Sequence, residues 1–130
     1  KIYKIECVNI NMKYDFEYNA ESDVLSIYNY EKSHPEESVE INEYIVMDID
    51  ENNKIIGLEI FDASAFFGAF NKEVDKKFLS NLKEIMIEQK EMRNNWFLVI
   101  ALKSGNSIVY QPMPPLRKSE YTSPLIASCE

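Results

Sequence analysis

Three carboxylates and an amide pose the first chemical question. Asp48, Asp50, Asn52 and Glu59 stand at the first, third, fifth and twelfth positions of the calcium-loop formula, with Ile55 at the eighth and Asn53 where a glycine is usual. Oxygens at that spacing suit a divalent cation, and Asp62 extends the set toward metal-assisted hydrolysis. Pairs such as Glu21 with Asp23, or Asp48 with Asp50, are also what general acid and base catalysis employs. The formula, however, requires a helix on each side of the loop, and both flanks here alternate apolar and polar residues at period 2. On strands the same carboxylates become turn and polar-face groups. Asp48 and Glu59 then sit near one another beside Gly57, repelling unless water, a divalent ion or a basic partner intervenes. The reading is therefore no cofactor, with a divalent cation on Asp48, Asp50 and Glu59 as the alternative.

Other catalytic sets are poorly represented. The single histidine, His34, precedes Pro35 in a charged stretch and reads as an exposed loop residue. Three glycines leave no phosphate-cradling loop, and no Gly-x-Ser-x-Gly elbow occurs. Cys7 and Cys129 lack the spacing of a redox pair or a zinc knuckle. Phe66, Phe67 and Phe70 cluster around Gly68, where they would serve as core or line a contact surface. With Phe61 on the polar face, the candidate binding residues are Asp48, Glu59, Phe61, Phe66 and Phe67.

These residues must be carried by strands. Tyr14, Phe16 and Tyr18 share one strand face, and after a turn at 19–22 Leu25 and Ile27 are expected opposite Phe16 and Tyr14. A two-residue turn at Asn52 and Asn53 sets Ile49 opposite Ile56, Met47 opposite Leu58 and Ile45 opposite Ile60, gathering the large aliphatics on one face. Past Asp62 and Ser64, either of which could cap a helix, Val74, Phe78, Leu82, Ile85 and Met86 fall at helical spacing. They predict a long amphipathic helix over 72–92 laid on the aliphatic sheet face. An apolar run over 96–102 and a return over 108–110, joined at 104–107, form a third hairpin. The fold class expected is α+β: an antiparallel sheet of two N-terminal hairpins, the long helix packed on it, and a C-terminal hairpin. Residues 1–112 make one domain, with 1–11 an extension or edge strand, and 113–130 a flexible tail.

Charge narrows the partners. The 130 residues carry 22 acids against 14 bases, a net charge of -8. That disfavours nucleic acid and anionic membranes. The acids are concentrated: residues 14–62 hold 14 acids and 2 bases, residues 63–130 hold 7 and 9. A weaker nucleic-acid reading uses Lys72, Lys76, Lys77, Lys83, Lys90 and Arg93 on the expected helix. No apolar stretch approaches the roughly 20 residues of a spanning helix, so a cytoplasmic protein is expected.

The pattern Tyr18-Asn19-x-Glu21-x-Asp23-Val24-Leu25-x-Ile27, followed by Asp48-x-Asp50-x-x-Asn53-Lys54-Ile55-Ile56-Gly57-Leu58-Glu59-Ile60-x-Asp62-Ala63-Ser64, resembles a short prokaryotic family catalogued as domain of unknown function 2283. The resemblance spans about residues 13–64. Asn19 stands for an aspartate of the family pattern and Asn53 for a glycine, both residues that suit turns. The resemblance implies a small cytoplasmic protein with an antitoxin-like or regulatory role. The expected function is thus a non-catalytic interaction module that binds a protein partner, such as a basic toxin-like protein, or a second copy of itself. The alternative is a carboxylate-based ion-binding protein or hydrolase.

Overall fold

In the computed structural model, residues 6–29, 35, 37–52, 54–113 and 116–117 are described. The expectations for His34, Asn53, Cys129, residues 1–5 and the chain beyond Arg117 lie outside them. The elements are β1 (Glu6–Asn19), β2 (Val24–Tyr28), β3 (Glu37–Glu40), β4 (Ile45–Ile49), β5 (Ile55–Phe61), α1 (Ala63–Gly68), α2 (Lys76–Ser80), β6 (Leu82–Met92), β7 (Asn95–Ser104), β8 (Ser107–Pro112) and β9 (Leu116–Arg117). The strands form one antiparallel sheet in the order β3-β4-β5-β2-β1-β6-β7-β8, with β9 on β7, curled into a half-barrel. No helix among the described residues is long and apolar enough to cross a membrane.

The long amphipathic helix over 72–92 does not form, and with it the expected α+β arrangement is overturned. Only Lys76–Ser80 is helical, and Leu82–Met92 is a strand. The physical reason is legible in the burial. Ile85, Ile87 and Gln89 are buried while Met86 and Glu88 face outward, the period-2 pattern of a strand bearing β-branched residues. Val74, Phe78 and Leu79 still enter the core, Val74 from the approach and the other two from a single helical turn. Asp75 caps that turn, its carboxylate accepting from the Phe78 N–H at 2.9 Å. The helix-like spacing from Val74 to Met86 thus straddles two elements of different period.

The hairpins explain the rest of the sheet. Met47 faces Leu58 and Ile45 faces Ile60, as the alternation predicts. A register shift between Asp48 and Ile49 sets Ile49 against Ile55, not Ile56, so both Ile55 and Ile56 are buried at a bulge. The first hairpin is also displaced by two residues from expectation: Phe16 faces Ile27 and Tyr18 faces Leu25. Asp23, at φ 59°, lengthens the turn, and the even slip keeps every apolar side chain on its face. The third hairpin forms, with Leu102 opposite Val109.

β1 serves both halves of the sheet. Its residues from Glu6 to Tyr14 pair with β6, and those from Asp15 to Asn19 pair with β2. Inward side chains of both halves, including Leu25, Ile27, Met47, Ile60, Ile87, Trp96, Leu98 and Ile100, join Ala63, Phe67 and Leu79 of the helices in one core. Burying each large side chain stabilises the fold by roughly 1.5 to 3 kcal/mol. A polar clamp crosses this core at the bulge. The Tyr14 hydroxyl donates to the Ile55 carbonyl at 2.5 Å, and the Ile55 N–H donates to Gln89 Oε1 at 3.0 Å. A backbone unit of β5 freed by the bulge is thereby satisfied from β1 and β6.

Candidate functional site

The densest group of polar contacts joins two turns far apart in sequence. Asn19 opens the first turn, its side-chain oxygen accepting from the N–H groups of Glu21 (2.9 Å) and Ser22 (3.1 Å). That turn delivers Asp23, buried and left-handed, to the start of α1. The Tyr18 hydroxyl donates to Asp23 Oδ1 at 2.6 Å, and the Ser64 hydroxyl donates to Oδ2 at 2.7 Å. The Ser64 N–H reaches Oδ1 at 3.1 Å, and the Ala63 N–H donates to the Asp23 carbonyl at 2.9 Å. Burial pushes the Asp23 carboxyl up, but the bonds from Tyr18 and Ser64, with the Lys76 charge nearby, outweigh it and hold the group below the usual carboxylate range. The Tyr18 phenol is raised by its own burial and by that carboxylate.

A hydroxyl 2.7 Å from a carboxylate resembles a nucleophile with its base. Its chemistry points elsewhere. A carboxylate of lowered pKa that already accepts from a phenol, a hydroxyl and an N–H is a weak base with little capacity left. The arrangement is a latch that fastens the β1–β2 turn to the β5–α1 junction.

Tyr18, Asp23, Ala63 and Ser64, brought together here, are all residues of the pattern that carries the family resemblance. Residues 12–64 match DUF2283, a protein family of unknown function. Neither a curated protein nor a solved structure matches the chain. The DUF2283 match takes in β1 from Met12, all of β2 to β5, and the first two residues of α1. The latch therefore closes the matched segment near its two ends, while α2 and β6 to β9 lie beyond it.

The carboxylates singled out by the calcium-loop spacing do different things. Asp50 is buried at the end of β4, and its Oδ1 accepts from the N–H groups of Asn52 (2.8 Å) and Lys54 (2.9 Å), which builds the hairpin turn. Asp48 accepts from the Ser38 hydroxyl at 2.6 Å. With Glu59 it borders a shallow pocket of about 240 Å³ shared with Ser26, Tyr28 and Ser38. Asp62 is exposed at φ 49° and occupies the N-cap position of α1, its side chain making no capping hydrogen bond. Among the described residues no three His, Cys, Asp or Glu side chains converge to hold a metal ion. Both flanks of this hairpin are strands, so the carboxylates are spread along the sheet.

The aromatic candidates separate too. Phe66 and Phe67 are core residues, with ring centroids 5.1 Å apart, and only Phe70 is displayed, at 57% exposure. Phe61 is half-buried on β5. The lysines of the nucleic-acid reading have no common helix. Lys72, Lys76 and Lys77 border an open groove beside α1 and α2, whereas Lys90 lies beside Met92 and Phe97 on the sheet.

One surface escaped sequence reasoning. The outer face of β6, β7 and β8 carries Met86, Val99, Ala101, Ile108 and Tyr110 around a groove of about 200 Å³, which Glu84, Glu88 and Lys103 also line. Ile108 is 50% exposed and Tyr110 65%. A helix over residues 72–92 would bury Met86 in its apolar stripe, whereas the strand turns Met86 outward onto this face. The alternation of Ile108 and Tyr110 with inward Val109 and Gln111 was the available signal.

Proposed function

We propose that this protein is an interaction module that works by taking an uncharged, extended polypeptide strand onto β8 and the adjoining outer face of β6 and β7. The observation that carries the reading is the exposure of Ile108 and Tyr110 on β8, which among the described residues is an edge strand. Exposed sheet edges are ready templates for another strand, and natural edges are usually blunted by charge. Ser107–Pro112 has no charged residue. At the opposite edge, β3 exposes Glu37 and Glu40, which disfavour strand addition. The groove beside β8, apolar over Met86, Val99, Ala101, Ile108 and Tyr110 and flanked by Glu84, Glu88 and Lys103, would accept alternate side chains of an added strand, giving affinity from the main chain and selectivity from the groove. Against an enzymatic reading stands the chemistry of the Asp23 and Ser64 pair, whose bonding capacity is spent within the fold.

A photoreactive benzophenone residue placed at Tyr110 tests this, with the same residue at Glu40 as the comparison. Covalent adducts formed from position 110, on an uncharged segment of the captured chain, support the reading. Adducts from position 40 alone, or from neither, overturn it.

A further inference from the structure

We infer that the strand accepted by β8 is the β8 strand of a second copy, paired antiparallel about a two-fold axis at Val109; this rests on the strand-addition reading above. The register follows from the hairpin. Gly105, at φ 60°, and Asn106 make a two-residue turn between paired Ser104 and Ser107, with the left-handed residue first. Such a turn makes Ser104 and Ser107 the hydrogen-bonded pair, and the two kinds of pair alternate from there. Leu102 with Val109 and Ile100 with Gln111 are then bonded pairs, whereas Lys103 with Ile108 and Ala101 with Tyr110 are not. The peptide groups of Ile108 and Tyr110 accordingly point away from β7, toward the open edge. Pro112 falls on the same outward set, where its lack of an N–H costs β7 nothing.

Only one register uses this edge fully. With Val109 on the axis, Ile108 lies opposite Tyr110 of the second copy, and Tyr110 opposite that copy's Ile108. Each of the two pairs exchanges two backbone hydrogen bonds. On the outer face each also forms a β-branched and aromatic contact, a favoured cross-strand combination. Moving the axis to Tyr110 would oppose Ile108 to Pro112, which has no donor. Moving it to Ile108 would push Tyr110 against the Asn106 turn. A one-residue slip would set outer-face side chains against inner-face ones.

Charge selects the same edge. Two chains of net charge -8 repel at a distance. The β8 strands nevertheless meet without a formal charge, and Lys103 beside Ile108 faces Glu84 within its own chain. Pairing through β3 would instead oppose glutamates. The surface available, essentially two large side chains and one strand edge per copy, falls short of the roughly 1,200 Å² of a standard interface, so the dimer is transient.

Sedimentation equilibrium of the full chain from about 10 μM to 1 mM tests the inference, the upper range being chosen for a weak interface. The expected weight-average mass rises from 15.2 kDa toward twice that value. Added salt strengthens the association by screening the net charge, the opposite of its effect on an acidic surface bound to a basic partner. Tyr110→Lys raises the dissociation constant at least about tenfold, since it places lysines into the apolar contact. Ile108→Pro gives a second variant, removing an outward N–H that β7 does not use; circular dichroism confirms that both remain folded. A monomer at every concentration and salt, or a dimer indifferent to both substitutions, overturns the inference. A monomer accompanied by position-110 adducts to another polypeptide refutes the second copy while leaving strand addition intact.

Discussion

Asp23→Asn is the sharpest probe of the latch. Asparagine tolerates the left-handed backbone at φ 59°, so the substitution removes charge without straining the turn. Hydrogen bonds to a charged acceptor contribute roughly 1.5 to 3 kcal/mol each, and neutral ones roughly 0.5 to 1.5. Tyr18 and the Ser64 N–H would keep an amide oxygen at the weaker value, while the Ser64 hydroxyl would meet an NH₂ group and lose its acceptor. The bonds weakened or lost come to about 3.5 to 6 kcal/mol, but the amide escapes the cost of burying a charge, which opposes them. The net expected loss is about 2 kcal/mol, a fall in Tm of about 8 °C for a chain of this size. Trp96, the single tryptophan and fully buried, reports urea unfolding by its fluorescence. The pH dependence supplies the decisive sign. A carboxyl lowered in the folded state contributes stability above its unfolded pKa of about 3.9, and loses it as pH falls through the folded value. The gap between wild type and Asp23→Asn is therefore widest at neutral pH and closes in strong acid. A gap that stays constant down to about pH 2.5, or no gap at neutral pH, refutes the latch as an ionic device. A double-mutant cycle with Ser64→Ala should return a coupling of about 1 kcal/mol.

The clamp on Ile55 gives two further tests. Tyr14→Phe leaves the Ile55 carbonyl short of a donor and should cost about 1 to 2 kcal/mol, and Gln89→Leu, which orphans the N–H, about 2 kcal/mol, both read by urea unfolding. Burial, then the nearby Asp50 charge, pushes the Tyr14 phenol up to about 12, so the neutral form is favoured in the fold and stability declines as pH rises from the unfolded value near 10 toward 12. Phenolate absorbance during alkaline titration should show that step lost in Tyr14→Phe. At the hairpin turns, Gly105→Ala should destabilise by about 1 kcal/mol at φ 60°, whereas Arg93→Gly, at φ 56°, should stabilise by up to about 1 kcal/mol in thermal melts.

What the sequence made legible was local. The β4–β5 and β7–β8 hairpins follow from alternation and turn chemistry within about 15 residues, and the pairs Met47 with Leu58 and Ile45 with Ile60 are met. The segment over 72–92 misled because Val74 and Phe78 belong to a helical turn and its approach, while Ile85 belongs to a strand. Their combined spacing imitates period 3.6, although Ile85, Ile87 and the apolar run after Asn95 carried the alternating signal. The latch was beyond reach for another reason. Asp23 and Ser64 are 41 residues apart, and nothing within either turn requires the other. The pattern behind the family resemblance did contain Tyr18, Asp23, Ala63 and Ser64 together, the one hint that those turns meet. The bulge that buries Ile56 was equally invisible, since it answers to Tyr14 and Gln89 from distant strands.

The double duty of β1 sets an order of events in folding. Its pairing with β2 closes within a few residues, at Asn19 and Val24, and can form in microseconds. Its pairing with β6 brings Tyr14 to Ile85, 71 residues along the chain, and runs on to Glu6 and Met92. Closing so long a loop is entropically slow and gains nothing until the intervening hairpins and helices are compact. The N-terminal half of β1 is therefore the final seam, and until it zips, the flank of β6 stands open as a template for the wrong strand.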